Sequence, residues 1–169
     1  MKKSLVLTGM MGVGKSTIGK LLSIRLKMRF VDIDRIIENQ EKMLVKDIFE
    51  KKGEQYFRKL EEKKSMEILE KEDFVIALGG GAFVNDNIRT LTIKNCISFW
   101  LNASTETLLN RNSGSKKRPL LKNMNLKEIL IKIADERKRI YKNANFRIDC
   151  DKLKPSEIIK DIIEKYKDA

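Results

Sequence analysis

Eight residues near the start of the chain, Gly9-Met10-Met11-Gly12-Val13-Gly14-Lys15-Ser16, fit the pattern G-x-x-x-x-G-K-[ST], and their flanks constrain the fold more than any other part of the sequence. A short apolar run at residues 4–8 leads into the pattern, and helical spacing through Ile18, Leu21, Leu22 and Leu26 follows it. Strand, glycine turn and helix in that order form a cradle in which successive backbone N–H groups and the positive end of the helix face the phosphates of a nucleotide. Lys15 would reach the β and γ oxygens, and Ser16 would offer a hydroxyl to Mg²⁺. Gly12, Val13, Gly14 and Thr17 complete the expected nucleotide-binding set. The alternative, a chance glycine turn before a helix, does not account for the flanking strand and helix.

Four further runs read as strands, at residues 29–33, 74–78, 96–101 and 146–150, and each is separated from the next by helical spacing. Helices are expected over about 15–28, 34–72, 86–94, 125–142 and from Pro155 onward, with Asp86 and Ser104 as candidate caps. Five short apolar strands alternating with helices call for an α/β fold, a parallel sheet with helices on both faces forming three layers. Ligands in such sheets gather at the carboxyl ends of the strands, and here those ends carry Gly9, Asp32 with Asp34, and Gly79 to Gly81. Residues 112–119 are polar and aperiodic and read as a mobile loop. With 169 residues and no linker or repeat, one domain spanning 1–169 is expected.

Composition narrows the chemistry. The chain contains no His and only two cysteines, Cys96 and Cys150, which argues against a Cys/His zinc site and favours small buried hydrophobes in a reducing compartment. Acid–base chemistry near neutral pH must then fall to carboxylates, lysines or the substrate. A net charge of +12 raises the possibility of nucleic-acid binding, but the basic residues alternate with acidic ones along helices, as in Glu61-Glu62-Lys63-Lys64. Aromatic residues are not interleaved with them as in a stacking platform, so no nucleic-acid partner is expected. The apolar runs are too short for a membrane span, and residues 1–4 lead directly into a strand, so a cytoplasmic protein without an export signal is expected.

Within this frame several residues suggest specific roles. Strand alternation would put the carboxylates of Asp32 and Asp34 on one side, where one could serve Mg²⁺ and the other a substrate hydroxyl; either could instead cap the next helix. Arg137 lies within the apolar stripe of Leu126, Ile129, Leu130, Ile133, Ala134, Ile140 and Tyr141, so it looks inward, as a structural ion pair or as the clamp for a substrate carboxylate. Helical phase does not assign Arg58 to a face. Gly79-Gly80-Gly81 is either a plain loop or a place where backbone N–H groups approach a ligand, and Arg118 either a solvated loop charge or a lid arginine over the transferring phosphoryl group.

Taken together, Gly12-Val13-Gly14-Lys15-Ser16-Thr17, Asp32 and Asp34, Phe57-Arg58, Gly79-Gly80-Gly81, Arg118-Pro119-Leu120-Leu121, and Glu136-Arg137 followed by Tyr141 resemble the shikimate kinases in order and spacing over almost the whole chain. The resemblance implies a P-loop, nucleoside-monophosphate-kinase-like fold with a five-stranded parallel sheet, an acceptor-binding segment at about 34–60 and a lid at about 112–124. It implies transfer of the γ-phosphoryl group of ATP to shikimate with Mg²⁺, in a monomer. Asp34 would bind the shikimate hydroxyls, Arg58 and Arg137 its carboxylate, and Gly79, Gly80 and Gly81 its ring substituents. Ser16 and Asp32 would serve Mg²⁺, Lys15, Asp34 and Arg118 would be catalytic, and Arg111 would stack on adenine. Lys154-Pro155 offers no arginine for the second adenine contact common in that family. Rival expectations are a kinase of gluconate or a nucleoside monophosphate, and a nucleic-acid-binding ATPase.

Overall fold

The burial of the strands follows from their places in one sheet of order β2-β3-β1-β4-β5, seen in a computed structural model that describes residues 2–112 and 126–169. The inner strands β1 (Leu5–Thr8), β3 (Phe74–Ala77) and β4 (Ile97–Asn102) are buried at every position but the last of β4, as strands covered on both faces must be. The edge strands β2 (Arg29–Asp32) and β5 (Phe146–Asp149) are partly exposed. All four pairings are parallel, with Val6 beside both Ile76 and Ser98, Phe30 beside Val75, and Trp100 beside Arg147.

Helix α1 (Lys15–Leu26) follows β1 and packs on β3 and on the last helix, α8 (Pro155–Lys167). The helical stretch expected over 34–72 divides into α2 (Ile33–Glu41), α3 (Val45–Lys52) and α4 (Glu54–Leu69). The first break follows Lys42 in a left-handed conformation (φ 53°), and the second falls at Gly53 (φ 84°). After β3 a 3₁₀ turn (Ala82–Val84) leads to α5 (Asp86–Asn95), which packs on α4 and β4. Asn85, not Asp86, caps α5: its side-chain oxygen accepts from the N–H groups of Asn87 (2.9 Å) and Ile88 (3.1 Å). Ser104 caps α6 (Thr105–Asn112) as expected, its hydroxyl accepting from the Thr107 N–H at 3.2 Å.

Helix α7 (Leu126–Tyr141) leads into β5. The expected lid at about 112–124 lies, beyond the end of α6, outside the described residues, and Arg118 with it. Cys96 and Cys150 are buried free thiols, and burial pushes both up to about 12, so they act as small hydrophobes. Among the described residues no helix is long and apolar enough to cross a membrane.

Besides the parallel ladder and the Asn102–Asp149 side-chain bond (2.7 Å), the start of the edge strand β5 is fastened to β4 by Asn145, the residue before it. Asn145 Oδ1 accepts from Ser98 N (2.9 Å) and Ser98 Oγ (2.7 Å), and the Ser98 hydroxyl accepts from Asn145 N (3.0 Å). Replacing Asn145 by Ala leaves the buried Ser98 amide without its acceptor. Chemical denaturation should show a loss of about 1–2 kcal/mol, and no change in the midpoint would mean that the Asn145 bonds add nothing to the ladder and packing that hold β5.

Candidate active site

Between β1 and α1 the chain curls through Gly9, Gly12 and Gly14, whose φ angles of 136°, 81° and 105° are open to glycine and strained for other residues. Gly14 is the N-cap of α1, so the free amides at the helix start face the cleft. Lys15 Nζ donates to the carbonyls of Gly9 (2.7 Å) and Met10 (3.0 Å), which keeps the ammonium inside the curl. Ser16 Oγ donates to Asp32 Oδ2 at 2.5 Å, joining the loop to the end of β2. Val13 itself is buried, and its carbonyl accepts from Arg111 Nη1 at 3.0 Å, which sets the end of α6 against the loop. Gly12, Gly14, Lys15, Ser16, Thr17 and Arg111 all line one cleft of about 470 Å³.

The same cleft holds Asp32, Asp34, Arg58, Gly80, Gly81 and Arg137, so the residues expected on the acceptor side face the glycine loop. The route by which the two aspartates meet differs from the expected strand alternation. β2 ends at Asp32, and Asp34 stands in the first turn of α2. Asp32 caps α2 and also faces the cleft: its side chain accepts from the Arg35 N–H (3.4 Å) through Oδ1 and from Ser16 through Oδ2.

Asp34 is half-buried in the cleft wall, and its Oδ1, itself shielded from solvent, has no hydrogen-bond partner. Burial first, then the charges of Glu61 and Asp32, push its carboxyl up to about 7, with Lys15 pulling the other way. In a chain without histidine, this carboxyl is a group in the cleft that titrates near neutrality. Glu61, on α4, is 2% exposed and carries a second orphaned oxygen, Oε1. Its other oxygen, Oε2, accepts from Arg58 Nη1 at 2.6 Å. Burial raises the Glu61 carboxyl, and Arg58 opposes that rise. Arg58 is held on its other side by Glu54 (3.1 Å) and lies over the rings of Phe49 and Phe57.

The three glycines after β3 each meet one of these groups. A Cβ on Gly79 would collide with Glu61 Oε1 and lie 2.7 Å from Asp34 Oδ1; a Cβ on Gly81 would lie 2.7 Å from Arg58 Nη1. Between them, the Gly80 carbonyl accepts from Arg137 Nη1 (2.7 Å) and from the Tyr141 hydroxyl (2.6 Å). Arg137 thus turns inward as its place in the stripe requires, with a backbone carbonyl as its partner.

Two residues of this constellation had no role assigned from sequence. Tyr141 stands in the sequence only as part of the stripe on α7 and of the run of residues that carries the resemblance, with no task of its own. Glu61 was missed, although the buried positions of α4, Phe57, Glu61, Ser65 and Leu69, recur at four-residue intervals. A charged residue on a buried stripe was the argument used for Arg137, and it applies equally to Glu61.

Two expectations follow. Because the folded Asp34 carboxyl sits near 7 against an ordinary 3.8, the native state keeps a proton that the unfolded chain releases across that interval. Stability therefore falls as pH rises from about 4 to 7, and the penalty is complete above 7. Asp34→Asn removes it: the variant should exceed the wild type by on the order of 2 kcal/mol or more at pH 8, and by less at pH 5. A stability difference that does not vary with pH would show that Asp34 is ionised throughout. Gly79 does not have a left-handed φ, so Gly79→Ala tests space alone. Both neighbouring carboxyl oxygens are shielded from solvent, and acceptor turnover (kcat/KM) should drop about a hundredfold while nucleotide affinity stays within about threefold. Unchanged acceptor kinetics would show that the turn can yield.

Comparison with known proteins agrees with this geometry. The family model for shikimate kinase matches residues 11–167. The shikimate kinase of Sulfurihydrogenibium sp. (strain YO3AOP1) is 46% identical over 165 residues, which is 98% of either chain. A shikimate kinase from Acinetobacter baumannii, solved in complex with shikimate, superposes with a TM-score of 0.95 at 29% identity, over 99% of this chain and 94% of its own. The deoxyadenosine kinase of M. mycoides shares the fold alone, at a TM-score of 0.64 and 17% identity over 97% of this chain and 99% of its own. With a matching family model across nearly its full length and a close full-length relative, this chain belongs to the shikimate kinase family.

Proposed function

We propose that this chain catalyses transfer of the γ-phosphoryl group of ATP to a ring hydroxyl of shikimate, giving shikimate 3-phosphate and ADP, with each residue in the role that its position in the cleft supports. The observation that carries the reading is the sharing of one cleft by the glycine loop with Lys15 and by Asp34, Arg58 and Arg137 opposite it. One side suits a polyphosphate; the other suits a small molecule with hydroxyls and a carboxylate.

The loop amides and Lys15 hold the β and γ phosphates. Arg58 and Arg137 clamp the acceptor carboxylate, and Arg58 is pre-aimed by Glu54, Glu61 and the two phenylalanine rings. With the carboxylate fixed, one hydroxyl faces the γ-phosphorus; positioning of this kind supplies most of the acceleration in phosphoryl transfer. The acceptor oxygen forms a bond to phosphorus, the bond from phosphorus to the β,γ-bridging oxygen breaks, and ADP leaves. Asp34 orients the hydroxyl and accepts its proton. A carboxyl poised near 7 is matched to that task, because it is substantially ionised at neutral pH and still basic enough to take a proton.

Ser16 Oγ and Asp32 Oδ2 are hard oxygen donors already in contact, and they fit Mg²⁺, which takes few protein ligands and completes its shell with phosphate oxygens and water. When bound with the nucleotide, Mg²⁺ neutralises charge on the β and γ phosphates. Arg111, fixed to the Val13 carbonyl beside the loop, is the residue proposed against adenine, and Arg118 enters the reading from the sequence resemblance alone. One domain acting as a cytoplasmic monomer, with residues 34–60 forming the acceptor side and no polynucleotide partner, completes the proposal.

A coupled assay of ADP release across shikimate, gluconate and AMP tests it. Turnover with shikimate should exceed the other two by at least about a hundredfold, since the site is built to pair a carboxylate and hydroxyls together. Background activity with shikimate would discard the reading. ATP hydrolysis stimulated by polynucleotide and lost steeply with salt would replace it by the nucleic-acid alternative.

A further inference from the structure

We infer that Tyr141 is a positioning residue for acceptor binding, acting through the Gly80 carbonyl; the inference rests on the proposed role of Arg137 in binding the acceptor carboxylate. A carbonyl oxygen has two lone pairs, and both on Gly80 are used, one by Arg137 Nη1 and one by the Tyr141 hydroxyl. The two donors differ in freedom. Arg137 is a half-buried flexible side chain, whereas Tyr141 is 1% exposed with its ring against Trp100 (centroids 5.9 Å apart) and Phe83 (6.5 Å). The phenol cannot follow the guanidinium if that group shifts.

An arriving carboxylate competes with Gly80 for the N–H groups of Arg137, because charge-assisted bonds are stronger than those to a neutral carbonyl. Were Arg137 the sole donor, its recruitment would orphan a carbonyl in the cleft wall, and that cost would be subtracted from acceptor affinity. Tyr141 removes the cost by remaining on the carbonyl. It also keeps the turn in place, so that Gly79 stays against Asp34 and Glu61, and Gly81 against Arg58, while the clamp engages.

Tyr141→Phe deletes only the hydroxyl and retains the ring packing. Its acceptor KM and the shikimate Kd from calorimetry should rise about tenfold, with the ATP KM within about twofold of wild type. The deciding measurement is the same substitution in an Arg137→Ala background. There Gly80 keeps or loses Tyr141 equally with and without acceptor, so the effect on the shikimate Kd should shrink to within about twofold. An unaffected Kd in the single variant would overturn the inference. An equal loss in both backgrounds, or a variant too unstable to bind ATP, would assign Tyr141 to the fold and also overturn it. Wild-type protein that turns over no shikimate would remove the functional reading first, and is distinguished from these outcomes because it needs no variant.

Discussion

The turn at the carboxyl end of β3 has no room for a side chain at Gly79 or Gly81, and the acceptor side of the cleft depends on that lack. Two carboxyls lean against Gly79, a guanidinium against Gly81, and a second guanidinium and a phenol bond the carbonyl between them. These groups come from α2, α4 and α7, three helices separated by long stretches of chain. Opposite charges from separate elements meet only where some backbone lets them approach, and here a strand end in the centre of the sheet provides it. Position in the sheet matters as much as composition. β3 lies beside β1, and the Leu78 N–H donates to the Leu7 carbonyl at 3.1 Å just before the two chains enter their glycine turns. The phosphate side and the acceptor side are therefore neighbours by hydrogen-bond register, and a Cβ at Gly80 would lie 3.4 Å from the Met11 amide of the loop.

Such convergence has an electrostatic consequence. Asp34 is half-buried and Glu61 buried, each has an oxygen without a hydrogen-bond partner, and each raises the cost of ionising near the other. Arg58 stabilises the Glu61 carboxylate directly, through a 2.6 Å bond, whereas Asp34 Oδ1 has no hydrogen-bond partner. One positive partner is thus shared unequally between two acids, both of which burial makes harder to ionise. A fold selected for stability alone would fill this space with apolar side chains. The orphaned oxygens are a destabilising feature that makes sense where a polar acceptor is to be bound.

Legibility in the sequence followed how local each signal was. The glycine loop needs only eight consecutive residues and their flanks, and it was complete. Arg137 was legible because the rest of its stripe on α7 is apolar, so one charge in phase stands out. Glu61 escapes because its own stripe on α4 is half polar, Phe57 and Leu69 flanking Glu61 and Ser65, amid a run of lysines and glutamates. Asp34 faces the cleft as expected, but from the first turn of a helix and not from a strand end. An isoleucine after Asp32 serves equally well as the last residue of a strand or the first of a helix, and only the cap from Asp32 to the Arg35 amide decides between them. Pairings across the chain, such as the Gly80 carbonyl with Tyr141, leave no periodic trace at all.

The excess positive charge of the chain also acquires a definite meaning once the cleft is known. Five basic side chains line it, Lys15, Arg35, Arg58, Arg111 and Arg137, against the four acids Asp32, Asp34, Glu38 and Glu61. The site is thus close to neutral, and most of the +12 lies elsewhere on the surface. A diffuse field of that sign draws anions toward the protein from beyond contact range and is weakened by salt. Recognition is a separate matter, decided by short paired contacts that salt barely screens. In the cleft, Arg58 held by Glu61 and Arg137 held by Gly80 are cations whose directions are fixed by their partners, and direction, not amount of charge, decides how well a paired contact with an anion can form.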